Sequence, residues 1–260
     1  GFALLSMVMA WGLSEVFARV LRLALPSIAL ALMFSCGAGY TGGLLGELIS
    51  PDHRLLFCAL GALGGAALHE LRFRVPVNWA IGAVALAFAL TSLVALVAPG
   101  LSERYWNLIF AAFGLAIFAV ALKIDASDTR RETRRSDIAF WLHLVAAPMI
   151  VHGVVPLLLG SPDGMTIAQA LAALAIYAAL GLVAVIIDRR ALLVSGLLYA
   201  GIAIGYLIGE NVTQDVGPAL TLLALAALVL GLSAGWRPLR RMLLPLVPLG
   251  TLKHSIPPPQ

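Results

Sequence analysis

Charge is scarce in this chain. Only 12% of its 260 residues are Asp, Glu, Lys or Arg, against 61% hydrophobic, and the mean hydropathy is +0.99. A soluble domain of this length could not cover that much apolar surface. Cysteine is scarcer still, and two residues cannot make a disulfide framework. Cys36 and Cys58 fall near the outer ends of two sequential apolar segments. A bridge would require those segments to touch, and buried free thiols are the commoner state. The sequence also lacks a phosphate loop, a dinucleotide fingerprint, a nucleophile elbow and clustered carboxylates. His69-Glu70 opens like a zinc-protease motif, but Phe73 stands where the second histidine belongs. Nothing is left for catalysis on a soluble substrate, so the sequence leans away from an enzyme. Alternating ten-residue segments are absent too, which argues against a membrane barrel.

What the chain does have is long apolar runs. Runs of about 18 residues or more are long enough to cross the hydrocarbon core. They are apolar on every face, unlike amphipathic surface helices. Lipid offers no partner for open strand edges, so a helical bundle remains. The spacing predicts spans over 2–18, 23–41, 55–73, 77–98, 104–124, 138–160, 166–187, 191–209 and 216–236. The expected fold is all-α: a polytopic transmembrane bundle of eight to nine helices. It forms one transmembrane domain over residues 1–245, followed by a cytoplasmic proline-rich tail over 246–260. Residues 1–13 are apolar without a basic lead-in, so no signal peptide is expected.

The basic residues orient the bundle. If the loop 124–137 lies in the cytoplasm, so do fifteen of the seventeen Lys and Arg residues, leaving Arg54 and Arg104 outside. Arg130, Arg131, Arg134, Arg135, Arg189, Arg190, Arg237, Arg240 and Arg241 are the main topology anchors. The basic balance thus reflects topology and contact with the lipid bilayer, and no nucleic-acid partner is expected. The C-terminus is placed in the cytoplasm. The mixed basic and apolar stretch 237–244 reads as lying along the inner interface.

Two stretches, 23–125 and 138–245, resemble each other in outline. Ser50-Pro51-Asp52 is echoed by Ser161-Pro162-Asp163, and Glu70-Leu71-Arg72 by Asp188-Arg189-Arg190. A four-plus-four parallel repeat is the corresponding expectation.

Ionisable groups at membrane depth are few, which is why they matter. His143 and His152 are the deepest. They are nine residues apart, so they point to opposite faces about 13 Å apart along one helix and cannot share a metal there. The same segment holds Pro148 and Pro156, which remove backbone hydrogen bonds. Trp141, His143, Pro148 and His152 therefore make up the candidate intramembrane site. Glu70 with Arg72, and Asp188 with Arg189 and Arg190, read as charge pairs at the inner surface. Gly61, Gly64 and Gly65, and Gly196, Gly201 and Gly205, read as packing devices. Glu210, Asn211 and Asp215 make a small acidic outer loop, and 211–213 formally matches a glycosylation acceptor.

The stretches 140–148 (FWLHLVAAP), 188–193 (DRRALL) and 235–241 (GWRPLRR) resemble segments of uncharacterised bacterial multipass membrane proteins, a domain-of-unknown-function group. The resemblance covers about the second half of the chain. It implies a bacterial inner (plasma) membrane and carries no activity or site residue.

Three functions fit these observations. The shortage of buried polar groups favours a structural or accessory subunit packed against other membrane subunits or itself. The repeat and the proline-bearing helix fit a transporter or channel for a small, weakly polar solute. His143 or His152 could serve a haem-binding redox protein, although no cofactor is predicted outright.

Overall fold

The computed structural model describes residues 1–159, 166–209 and 215–246. Among these residues the chain is helical with no strand, and nine α-helices follow one another: α1 Phe2–Ser14, α2 Ala24–Glu47, α3 Arg54–Phe73, α4 Val77–Val97, α5 Pro99–Ala126, α6 Arg134–Leu159, α7 Ile167–Ile187, α8 Ala191–Gly209 and α9 Gly217–Leu243. Eight helical segments are long and apolar enough to cross a membrane, and α8 adds a shorter apolar stretch, Gly196–Gly209. The chain is an all-α polytopic bundle, as its composition requires.

Local chemistry sets the helix ends. Ser50 caps the turn at Pro51–His53 by accepting from the Asp52 amide. Thr166 and Gln169 form a reciprocal capping box at the start of α7. Arg74 ends α3 and Asp188 ends α7, both in the left-handed conformation. Several elements run longer than the hydropathy predicted: α2 reaches Glu47, α5 starts at Pro99, α6 starts at Arg134 and α9 continues to Leu243. The stretch 237–243 continues α9 as helix, with Pro238 inside it. One feature had no sequence signal. After Ser14 the first helix widens into a π-helical segment, Glu15–Val20. The loop residues 161–164 and 210–214, with the acceptor sequence 211–213, and the tail beyond 246 lie outside the described residues.

The chain forms two compact units, with the boundary inside α5 after Ile109. In the first, α2 and α3 are pressed together through glycines. A Cβ on Gly65 would lie 2.8 Å from the Ala38 Cβ, and one on Gly46 would lie 2.7 Å from the His53 carbonyl. Gly61 meets the Ala38 carbonyl just as closely, whereas Gly64 meets nothing within 4 Å. Small residues at this spacing let two backbones approach, which is how helices gain packing energy in lipid. Both cysteines, on these two helices, are free thiols. Ala10, Leu30 and Phe34 form a buried cluster with Trp11 and Phe17 against it.

In the second unit α6 is the central helix, with 56% of its span buried. Ala147, Ala184, Val185, Leu192 and Trp236 form one apolar cluster, and Val151, Val155, Ala170, Ala173 and Ala203 another. Gly196 packs against Tyr177, Gly201 against Leu225 and Gly205 against Thr221.

Candidate functional site

Each unit carries a polar cluster where helix ends converge. In the second unit it starts from Asp125. A stripe of buried residues, Ala111, Gly114, Ile117, Ala121 and Asp125, runs down α5 at spacings of three and four. Asp125 is therefore buried by the same helical face that buries the small residues above it. Its carboxylate accepts from Arg189 Nε at 2.9 Å and also from Arg189 Nη2. Both side chains are almost fully enclosed. Arg189 Nη2 further reaches Ser136 Oγ at 3.3 Å and the Ser136 carbonyl at 3.4 Å. A bidentate pair between a guanidinium and a carboxylate is the strongest form of charged hydrogen bonding.

His143 lies next to this pair and is completely buried. Its Nε2 is 3.9 Å from Asp125 Oδ2, within ion-pair range but beyond hydrogen-bond length. Neither ring nitrogen has a hydrogen-bond partner among the described residues. The Phe118 ring meets it edge-on at 5.2 Å. His143 thus sits at the boundary between the charged layer and apolar packing.

A second layer braces the α7–α8 turn. Arg131 Nη1 donates to Asp188 Oδ2 at 2.9 Å, and its Nη2 donates to the Asp188 carbonyl at 2.8 Å. Trp236 Nε1 donates to Asp188 Oδ1 at 2.8 Å, and Arg240 Nε donates to the Val185 carbonyl at 3.2 Å. Cations thereby satisfy the open carbonyls at the negative end of α7. Asp128 shapes the loop before α6. It accepts from Thr133 Oγ1 at 2.6 Å and from the amides of Thr133 and Glu132 at 2.9 and 3.2 Å. The Thr133 hydroxyl and these amides hold its carboxyl below the usual Asp range, with burial opposing them.

The first unit builds its cluster differently. His69 is completely buried, and both ring nitrogens are used. Asn78 Nδ2 donates to Nδ1 at 3.1 Å, so Nε2 carries the proton toward Ser14 Oγ, also at 3.1 Å. The Ser14 hydroxyl in turn donates to the Ala10 carbonyl at 2.7 Å. The rings of Trp11, Phe34 and Phe73 surround the imidazole. Glu15 bridges Arg19 and Arg72, each at 2.8 Å, and Glu70 accepts from Trp79 Nε1 at 3.0 Å.

These contacts re-sort the residues singled out from the sequence. His143 joins a buried cluster. His152 does not: it is exposed, donates from Nδ1 to the Pro148 carbonyl at 2.9 Å and meets the Tyr199 ring edge-on at 5.2 Å. Trp141 is half-buried against Phe140, and Pro148 is half-buried on the same helix. The expected pairing of Glu70 with Arg72 is replaced by Glu15 with Arg72, and that of Asp188 with Arg189 and Arg190 by Asp188 with Arg131 and by Asp125 with Arg189. In both cases the partners lie far apart in sequence, while neighbours on a helix end point away from each other. Of the anchors, Arg130, Arg135, Arg237 and Arg241 are exposed and Arg134 is half-buried. Arg189 and Arg240 are buried, and Arg190 stacks over the Trp236 ring at 5.0 Å. The shortage of buried polar groups inferred from the sequence does not hold, because Ser14, His69, Asn78, Asp125, Asp128, Ser136, His143, Arg189 and Arg240 are all buried.

Sequence reasoning missed Asp125, Ser136, Ser14 and Asn78. The signal for Asp125 was its place in register with Gly114 and Ala121.

No family model matches the chain, and no curated protein or solved structure matches it either. What the fold defines is a class: a multi-pass α-helical integral membrane protein.

Proposed function

We propose that this protein carries a small, weakly polar solute across a bacterial inner membrane, with its C-terminus in the cytoplasm and Asp125, His143 and Arg189 as a proton-responsive latch. One observation carries this reading. A fully buried imidazole, without a hydrogen-bond partner among the described residues, stands 3.9 Å from a carboxylate that is already held by an arginine. Buried ionisable groups in membrane helices are costly and mark ion or proton pathways.

Protonated His143 would close on Asp125 by about 1 Å to reach hydrogen-bond length. The carboxylate would then be shared, and its hold on Arg189 would weaken. Arg189 lies in the turn between α7 and α8, so the latch links a proton to the freedom of that turn. Echoes between the two halves of the chain support the same reading. A left-handed non-glycine residue precedes α2 (Arg22) and α6 (Arg131), and another follows α3 (Arg74) and α7 (Asp188). An acid near the end of the first helix pairs with an arginine near the end of the third in both units: Glu15 with Arg72, and Asp125 with Arg189. These matches favour a register of α1–α4 with α5–α8 over the 23–125 and 138–245 register expected from the sequence. Parallel repeats are a common build of transporters.

The test is a pH jump on proteoliposomes adsorbed to a solid support, with a panel of neutral and weakly polar solutes. A proton current that depends on one solute, and is lost in His143→Gln with its melting temperature retained, is the expected result. No such current, together with a stoichiometric partner in gently extracted membranes, would instead establish an accessory subunit. That reading has its own support, since only 11% of the Phe2–Val20 span and 6% of the Gly217–Leu246 span are buried. A haem absorption band in the purified protein would replace both readings. Glu132→Cys should be labelled from the cytoplasm only and Asp52→Cys from the other side only; the reverse would overturn the orientation.

A further inference from the structure

A cleft of about 210 Å³ opens among α7, α8 and α9. Its walls are apolar, chiefly Leu193, Leu197, Val229 and Leu232, and Arg190 with Ser233 and Trp236 stands at one end. Leu197 is seven residues beyond Arg190 on α8, and Val229 is seven before Trp236 on α9, so the cleft runs about 10 Å from the charged end along both helices. Arg190 itself is exposed. Its contacts are soft ones: the Trp236 ring at 5.0 Å and the Ser233 hydroxyl at 3.4 Å. Among the described residues no carboxylate pairs with it, because Asp125 is taken by Arg189 and Asp188 by Arg131.

Ring stacking leaves the in-plane N–H donors of a guanidinium free, and those donors match a phosphate. Arg237, exposed and one turn beyond Ser233 on α9, adds a second positive charge toward the helix end. An apolar cleft of this kind excludes water and suits an alkyl chain. We propose that the cleft is a binding site for an anionic phospholipid, with its phosphate on Arg190 and the first part of one acyl chain along Leu193, Leu197, Val229 and Leu232. Two nearby cations disfavour a zwitterionic headgroup, whose own ammonium would lie beside them. The site is separate from the latch at Asp125 and does not depend on the transport reading.

Native mass spectrometry of the full chain in mild detergent tests this, with dioleoyl phosphatidylglycerol and dioleoyl phosphatidylcholine as probes. The wild type should retain one phosphatidylglycerol with a roughly five- to thirtyfold preference, the scale expected for one or two cations at a membrane surface. Arg190→Gln should lose that preference, and Leu197→Trp, which fills the cleft, should lower retention of both lipids. Millimolar inorganic phosphate should not displace the bound lipid. Equal retention of the two lipids by the wild type would overturn the proposal, as would an unchanged preference in Arg190→Gln. Displacement by inorganic phosphate would also overturn it, by assigning the site to the free anion. If Arg190→Gln does not fold, the wild-type comparison and Leu197→Trp still decide.

Discussion

Removing the Asp125 carboxylate should unfold this protein more readily than removing any exposed charge. Asp125 and Arg189 are 6% and 7% exposed, and two hydrogen bonds join them. Asp125→Ala leaves a guanidinium enclosed with only Ser136 beside it, a situation that costs about 3–5 kcal/mol. Arg189→Ala should cost a similar amount by stranding the carboxylate. Replacing both partners with leucine removes both charges, and stability should return to within about 1 kcal/mol of wild type or exceed it. The first unit supplies the control. Glu15 and Arg72 are 33% and 45% exposed, so solvent screens that pair and breaking it should cost far less than breaking the buried one. Equilibrium unfolding in mixed detergent micelles, run as a double-mutant cycle, reads these differences directly. If Asp125→Ala costs no more than Glu15→Ala, or if the double leucine variant is no better than the singles, the buried-pair argument is wrong.

Three further outcomes follow from the packing. Gly61→Leu should destabilise by about 1–3 kcal/mol because its Cβ collides with the Ala38 carbonyl, whereas Gly64→Leu should stay within about 0.5 kcal/mol; matched melting curves check both. Trp236→Phe keeps the ring but strands part of Asp188, and should cost about 1.5–3 kcal/mol in the same assay. Asp128 has a folded pKa below its unfolded value, so its contribution is complete above the unfolded value and lost as pH falls through the folded one. Asp128→Asn should accordingly flatten the acid limb of the melting temperature against pH; an unchanged limb would refute it.

The bundle was legible because hydropathy and length depend only on composition within a window. Helix starts followed after Ser50-Pro51 and after Pro76, whereas α5 begins at Pro99 itself, where a break was expected, and Pro148, Pro156 and Pro238 lie inside helices without ending them. The glycine contacts of α3 and α8 were legible for all but Gly64, since small residues at helical spacing have few other uses in lipid. The polar clusters were not. Asp125, Arg189 and Arg240 look like ordinary helix-end charges, and whether such a charge meets water or a partner depends on a helix about 60 residues away. His143 stood out by depth, but depth cannot separate it from His152. Only the rotation of α6 within its unit does that, and apolar faces that look alike to lipid and to protein conceal the rotation. The π-helical segment at Glu15–Val20 has no residue pattern of its own.

The Glu15–Arg72 bridge also has a meaning in time. The two residues are 57 positions apart. At about 5–20 residues per second, the ribosome takes roughly 3–11 seconds to deliver Arg72 after Glu15. During that interval Glu15 is held by Arg19, one turn further along the same segment. Once α3 has emerged, both arginine partners of Glu15 are present, and Asn78 and Trp79 complete the corner when α4 follows, while most of the second unit is still unmade. Asp125 waits for Arg189 in the same way, 64 residues later. Biosynthesis of this chain would then advance in two instalments, each tied by an arginine that arrives about 60 residues after its acid.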